Sequence, residues 1–69
     1  MNGFGKRLKE LRLEKELSQK ALAEQIEQAQ STINYWENDK KEPTISGLRK
    51  LCDYFDVSAD YLIGRTDGY

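Results

Sequence analysis

Apolar residues recur at three- and four-residue steps along nearly the whole chain, and no stretch shows the strict alternation of a half-buried strand. Phe4, Leu8 and Leu11 form the first apolar stripe, and most residues between them are Lys, Arg or Glu. This spacing predicts an amphipathic helix that ends near Lys15. Because similar stripes follow it, the sequence predicts an all-α protein.

A second helix is predicted to begin at Ser18, whose hydroxyl can accept a hydrogen bond from an otherwise unpaired backbone amide. Leu17 and Leu22 occupy the flanking positions of a hydrophobic staple around this cap. The helix should run to about Ile26, after which residues 27–29 interrupt the pattern.

The third predicted helix has an apolar side that carries Ile33 and Trp36, and Trp36 is expected in the core. Pro43 stops any continuation, because its ring clashes with the preceding turn and it has no amide hydrogen. Thr44 can then cap a fourth helix.

The last two predicted helices follow the same rules. Val57, Ser58 and Leu62 repeat the staple and cap, and Gly64 offers a C-terminal stop. From residue 65 onward the chain is polar, and we expect it to fray. The apolar stripe of the fourth helix consists of Ile45, Leu48, Leu51, Cys52 and Phe55.

Composition narrows the possible functions. A chain of 69 residues makes one small domain, with too little volume for a large catalytic cleft. With no histidine and one cysteine, Cys52, it cannot form an internal disulfide or a cysteine-built zinc site, and no catalytic set is evident. We therefore expect no enzyme activity, cofactor, metal or small-molecule ligand. The absence of a long apolar run and of a signal-peptide pattern makes the cytoplasm, without membrane association, the default expectation.

The polar side of the third helix carries mostly neutral hydrogen-bonding groups. At about 100° per residue, Gln30, Ser31, Asn34, Tyr35 and Asn38 share one arc, opposite Ile33 and Trp36. Amides and hydroxyls can donate and accept at once, which suits the mixed donor and acceptor edges of base pairs in the major groove. A polar helix face can also be no more than a solvated surface. The net charge of −1 weighs against a nucleic-acid partner.

The segment LSQKALAEQIEQAQSTINYWENDKKEPT, residues 17–44, resembles the Xre family of phage repressor and Cro-type helix-turn-helix proteins. The resemblance extends over residues 5–64. It rests on the Ser-Gln pair at 18–19, the Ala-Glu pair at 23–24, the STIN-x-WEN pattern at 31–38, the Lys-x-x-Pro ending at 40–43 and the Val-Ser-x-Asp-x-Leu pattern at 57–62.

The resemblance implies a compact five-helix bundle of the lambda-repressor-like type over residues 1–64, followed by a polar tail at 65–69. Its third helix would enter the major groove of double-stranded DNA, while the second crosses the phosphate backbone. The implied base readers are Gln30, Ser31, Asn34 and Tyr35. The implied contacts to the DNA backbone are Gln19, Gln28, Thr32, Asn38, Lys40 and Lys41.

The family pattern also implies a structural ion pair between Arg12 and Glu37. The chain departs from that pattern at three positions in the turn, where Glu27 replaces a common glycine, Gln28 a small apolar residue and Ala29 a capping Ser or Thr. The turn could therefore adopt a wider geometry, or Gln28 could supply a cap or a DNA contact of its own.

The region near the C-terminus also carries Tyr54, Tyr61 and Ile63, which are more apolar side chains than a small core there should need. Relatives often form a two-fold interface in this region. The leading hypothesis is a sequence-specific transcriptional regulator, a repressor that binds a pseudo-palindromic operator as a homodimer. The alternative is an antitoxin-like protein-interaction module that uses the C-terminal apolar surface.

Overall fold

The computed structural model describes residues 3–69, and over that range the predicted all-α architecture is confirmed. The start of the predicted domain at residue 1 lies outside the described residues. The helices are α1 Phe4–Glu14, α2 Gln19–Gln25, α3 Gln30–Glu37, α4 Ile45–Phe55 and α5 Ala59–Leu62. They agree with the predicted bounds to within about a residue at the ends of α1 and α2.

Three of the helices begin at the predicted capping hydroxyls. Each cap accepts a hydrogen bond from the backbone amide three residues later, so one otherwise unpaired donor of each helix is satisfied. The pairs are Ser18 with Ala21 at 2.9 Å, Thr44 with Gly47 at 3.0 Å and Ser58 with Tyr61 at 3.0 Å.

The helices end less favourably than they begin. Glu16, Glu27, Asp39 and Asp56, which follow α1, α2, α3 and α4, have φ values of 55°, 57°, 56° and 56°. This left-handed conformation costs a residue with a Cβ roughly 1 kcal/mol or more. Within residues 3–69, only α5 is followed by a glycine in this role, Gly64 at φ 84°.

One apolar core joins the helices. Phe4, Leu8, Leu22, Ile33, Leu51 and Leu62 are its most completely buried large side chains. Trp36 is buried at 4% exposure, as predicted. Its indole lies against Gly47 of α4, where an added Cβ would approach the ring to 3.1 Å, so the small residue makes room for the large one.

The predicted stripe of α4 is wrong at one end. Leu51 and Phe55 are buried and Leu48 and Cys52 are partly buried, but Ile45 is 81% exposed. On a helical wheel Ile45 lies about 120° from Leu51, at the edge of the apolar arc and in the first turn of α4. Part of the apolar surface of α4 therefore remains outside the core.

The expectation that the tail frays is also wrong. Arg7 of α1 donates to the carbonyl oxygens of Tyr61 and Thr66 and forms a salt bridge of 2.9 Å with Asp67. The ring of Tyr69 packs edge-on against Tyr61 with centroids 4.7 Å apart. These contacts tie the tail to α1 and α5.

The joint between α1 and α3 sets the position of α3. Gly5 lets the first turn of α1 approach the backbone at the end of α3, and the carboxylate of Asp39 accepts a 3.0 Å hydrogen bond from the Gly5 amide. A Cβ on Gly5 would collide with the Glu37 carbonyl group and lie 2.8 Å from the Trp36 carbonyl oxygen. The close approach is therefore possible only for glycine.

Gly5→Ala should destabilise the protein by about 1 to 3 kcal/mol, because a backbone atom cannot move aside as a flexible side chain can. The measurement is urea unfolding followed by circular dichroism. Gly68→Ala is the matched control, since a Cβ there meets nothing nearer than the Thr66 hydroxyl at 3.9 Å. Equal stability of the two variants would contradict this account of the joint.

Candidate nucleic-acid interface

The turn between α2 and α3 is tight, despite the absence of the usual glycine. The Gln28 amide donates to the Ala23 carbonyl at 2.8 Å, and the Glu27 amide donates to the Glu24 carbonyl at 3.4 Å. This pair of bonds is the Schellman arrangement, with Glu27 at its left-handed position. The wider geometry that the sequence left open is therefore not adopted, and Glu27 bears the strain instead.

As expected, α3 begins without a side-chain cap. Ala29 occupies the capping position in an extended conformation, without a side-chain hydrogen bond to the helix. The lost cap is worth about 1 kcal/mol. Gln28 is partly buried, and its role as a DNA contact stays a prediction.

The polar side of α3 faces outward as one surface. Gln30, Ser31, Asn34 and Tyr35 are exposed and line a shallow depression together with Gln19 of α2. On the other side of the helix, Ile33 and Trp36 are 0% and 4% exposed. Burial of the apolar side thus holds the amide and hydroxyl side chains toward solvent.

Arg12 and Glu37 form a two-pronged salt bridge between α1 and α3. Arg12 donates from Nε to Glu37 Oε2 at 2.6 Å and from Nη2 to Oε1 at 2.9 Å. The side chains are 9% and 3% exposed. The hydrogen bond to Glu37 raises the pKa of Arg12, which outweighs the opposing effect of burial. The two side chains therefore compensate each other within the bundle.

Gln19 extends this pair toward the surface. Its Nε2 donates to Glu37 Oε1 at 3.2 Å, and its Oε1 accepts from Asn34 Nδ2 at 3.4 Å. The sequence predicted a DNA-facing Gln19 but gave no sign of these two intramolecular partners. The link connects a buried carboxylate with an exposed polar side chain of α3.

The residues predicted to contact the DNA backbone lie around the same helix. Lys40 and Lys41 are exposed just beyond its end, and the ammonium group of Lys41 lies 5.2 Å from the centre of the Tyr35 ring. Asn38 is exposed and donates to the Asn34 carbonyl, and Thr32 is partly buried. The two lysines thus border the outward polar face.

The C-terminal residues predicted at a dimer interface differ in their surroundings. Tyr61 is 8% exposed and belongs to the core, where Arg7 lies 4.5 Å from its ring centre. Tyr54 and Ile63 are only partly buried, and the ring of Tyr54 packs edge-on against Phe55. The premise that the core has no room for these side chains is therefore wrong for Tyr61.

Cys52 is a partly buried thiol without an activating partner among the described residues. Burial, followed by the charge of Asp53, raises its pKa, which keeps it protonated at neutral pH. Residues 3–69 contain no group of three or more His, Cys, Asp or Glu side chains placed to hold a metal ion. None of the helices in the same range combines the length and apolar composition needed to cross a membrane.

Three residues that hold the bundle together escaped prediction. Gly5 had a local signal, because a glycine inside an amphipathic helix usually marks a close approach. Asp39 had none, since its partner Gly5 is 34 residues away. Arg7 had none either, since its contacts with Tyr61 and Thr66 span more than 50 residues of sequence.

Comparison with known proteins places this geometry in a family. Residues 8–62 match the family described as helix-turn-helix, and the chain belongs to it as a member of the Xre type. Its backbone superposes on the N-terminal DNA-binding domain of SinR from Bacillus subtilis with a TM-score of 0.83 and 33% identity, covering 91% of this chain and 93% of that one.

Two curated relatives come from the same bacterium. The HTH-type transcriptional regulator ImmR of Bacillus subtilis is 36% identical over 64 residues, which is 93% of this chain and 50% of ImmR. YobD of Bacillus subtilis, an uncharacterized HTH-type transcriptional regulator, is 39% identical over 64 residues, or 93% of this chain and 57% of YobD. The chain thus spans about half the length of these relatives.

Arg12→Met should destabilise the protein by about 3 kcal/mol, because Glu37 would remain buried without a compensating charge. Urea unfolding at neutral pH measures the loss. Arg65→Met is the control: its pair with Asp60 is 3.5 Å long and 73% and 65% exposed, so it should cost less than about 1 kcal/mol. Similar losses in both variants would contradict a special role for the buried pair.

Proposed function

We propose that the protein is a transcriptional regulator that binds specific sequences of double-stranded DNA through α3. The observation that carries the proposal is the outward face of Gln30, Ser31, Asn34 and Tyr35 on the second helix of a helix-turn-helix unit. Membership of a family whose named relatives are transcriptional regulators supports it.

The dimensions and chemistry of α3 suit the major groove. An α-helix with its side chains is about 10–12 Å across, and the major groove is about 12 Å wide. Gln30, at the first position of α3, can place donors and acceptors against base edges, as can Ser31 and Tyr35. The neutral outward side chains of α3 can thus approach the major groove without bringing an unpaired charge into it.

The distribution of charge supports binding to a polyanion, although the net charge is −1. Glu37, the one carboxylate in α3, is buried and paired with Arg12. Lys40 and Lys41 stand at the end of the same helix, where they can contact phosphates. In this proposal the side of α3 that meets DNA is neutral to basic.

Gln30→Ala and Lys40→Ala should separate the two kinds of contact. Gln30→Ala should weaken binding to the specific site by about 1 to 3 kcal/mol and leave binding to unrelated DNA nearly intact. Lys40→Ala should weaken both and reduce the dependence of affinity on salt, because one fewer counterion is released.

Fluorescence anisotropy titrations at several salt concentrations, on DNA selected from a random pool and on scrambled DNA, measure both effects. Lys50→Ala, on α4, is a matched charge control that should leave both affinities almost unchanged. Equal losses for Gln30→Ala and Lys40→Ala on both DNAs would refute this division of roles.

We propose further that the protein represses transcription as a homodimer that covers a pseudo-palindromic operator. One short helix reads few base pairs, and two copies related by a two-fold axis would read half-sites about 34 Å apart. The apolar groove left open beside α4 is the surface that we assign to the second copy. It is lined by Ile45, Leu48, Arg49, Cys52 and Ala59, and Ile45 at its edge is 81% exposed.

Ile45→Glu should weaken self-association by about 2 kcal/mol, because two carboxylates would be placed in an apolar contact. Sedimentation velocity of the free protein and of its complex with selected DNA measures the change. Leu13→Glu, at a leucine of α1 that is 54% exposed, is the matched control and should leave association unchanged. Monomers only, with and without DNA, would refute the dimer.

The same groove favours a second candidate function, a module that docks onto another protein. In that case the wild-type protein would show no salt-sensitive DNA binding in titrations against mixed genomic DNA. Salt-sensitive binding that Lys40→Ala reduces would instead support the DNA-binding proposal.

A further inference from the structure

We propose that buried Glu37 fixes the direction of a chain of side-chain amides, so that α3 presents Asn34 to DNA with its carbonyl oxygen foremost. Asn34 would then select a base that carries an amino group in the major groove. This inference rests on the proposed function, in which α3 reads base edges. It assigns to Glu37 and Gln19 a positioning role in sequence recognition.

The direction of the chain is set at its buried end. Both carboxylate oxygens of Glu37 accept hydrogen bonds from Arg12, at 2.6 and 2.9 Å, so this carboxylate offers its neighbours only acceptors. The Gln19 amide must therefore turn its nitrogen toward Glu37, and Nε2 lies 3.2 Å from Oε1. The opposite orientation would bring two acceptors together.

The orientation of Gln19 determines that of Asn34. With Nε2 engaged by Glu37, Gln19 offers its Oε1 to the surface, where it accepts from Asn34 Nδ2 at 3.4 Å. Asn34 thus turns its nitrogen toward Gln19. Its Oδ1 and one remaining Nδ2 proton are left to face outward. The buried carboxylate of Glu37 thus determines that the exposed group of Asn34 is an acceptor.

An outward acceptor distinguishes the four bases. In the major groove adenine and cytosine present amino groups, whereas guanine and thymine present carbonyl oxygens. Asn34 Oδ1 can accept from the first two and would be repelled by the others. Adenine should be preferred over cytosine, because its N7 can also accept the remaining Nδ2 proton. An amide without the Gln19 contact could rotate and accommodate either class.

Glu37 itself cannot contact the DNA, because its side chain is only 3% exposed. Its influence on the base preference passes through Gln19. For this reason Gln19 is the position to vary: it is partly buried on α2, and its replacement leaves the Arg12–Glu37 pair in place. A role in stability alone would alter affinity for every sequence without changing which base is preferred.

The test is selection of bound sites from random DNA by the full chain, for the wild type and four variants. Asn34→Ala identifies the position that Asn34 reads, as the one whose preference disappears. Gln30→Ala should remove the base preference at a different position of the site. At the Asn34 position the wild type should favour adenine or cytosine on one strand by about tenfold or more.

Two variants of Gln19 test the direction of the amide chain. Gln19→Met keeps the side-chain length but removes both hydrogen bonds, so the preference should fall to about twofold or less. Gln19→Lys can donate to Glu37 and to Asn34 but cannot accept, which should turn the Asn34 nitrogen outward. The preference should then invert toward guanine or thymine, while the remaining positions of the site stay unchanged.

The outcomes separate this inference from the proposed function. A wild-type preference for guanine or thymine, no position lost in Asn34→Ala, or an unchanged preference in Gln19→Met and Gln19→Lys would overturn the inference alone, provided Gln30→Ala still erases its own position. No preferred sequence for the wild type would overturn both. Thermal unfolding of each variant confirms that it is folded at the temperature of selection.

Discussion

The Arg12–Glu37 pair neutralises the carboxylate at the end of α3 inside the bundle. Glu37 is the only charged residue of α3, and its bridge to α1 removes that charge from the exposed surface. Because two buried charges compensate each other, the loss of either one leaves the other without a partner. The same bridge joins α1 to α3 and provides the fixed point from which Gln19 is oriented.

A second constraint holds the first turn of α1 against the end of α3. Gly5 brings the backbone of α1 against the end of α3, and Asp39 closes the joint through the Gly5 amide. Trp36 lies on Gly47 in the same region. The outward polar face of α3 is therefore held by a backbone contact, an aromatic contact and an ion pair, all on the side of α3 that faces away from solvent. Such rigid support is what a binding surface on a short helix requires.

Local patterns predicted much of this architecture. Helix periods and the caps at Ser18, Thr44 and Ser58 depend on neighbouring residues, and a single sequence displays them directly. The outward face of α3 followed from the same periodicity, and the Arg12–Glu37 pair followed from the family resemblance. The exposure of Ile45 could not be predicted, because five apolar residues on α4 do not reveal which of them the neighbouring helices cover. The docking of the tail depends on Arg7, more than 50 residues away.

The acidic residues at the helix ends have a consequence for protein engineering. Glu16, Glu27 and Asp56 hold left-handed backbone conformations and place negative charge near the negative ends of helix dipoles. Each combines two small penalties, and none of the three contributes to the core. Glycine or asparagine at these sites should recover about 1 kcal/mol apiece, which would raise the thermal resistance of the protein. A more heat-tolerant scaffold could be built without altering the polar side of α3.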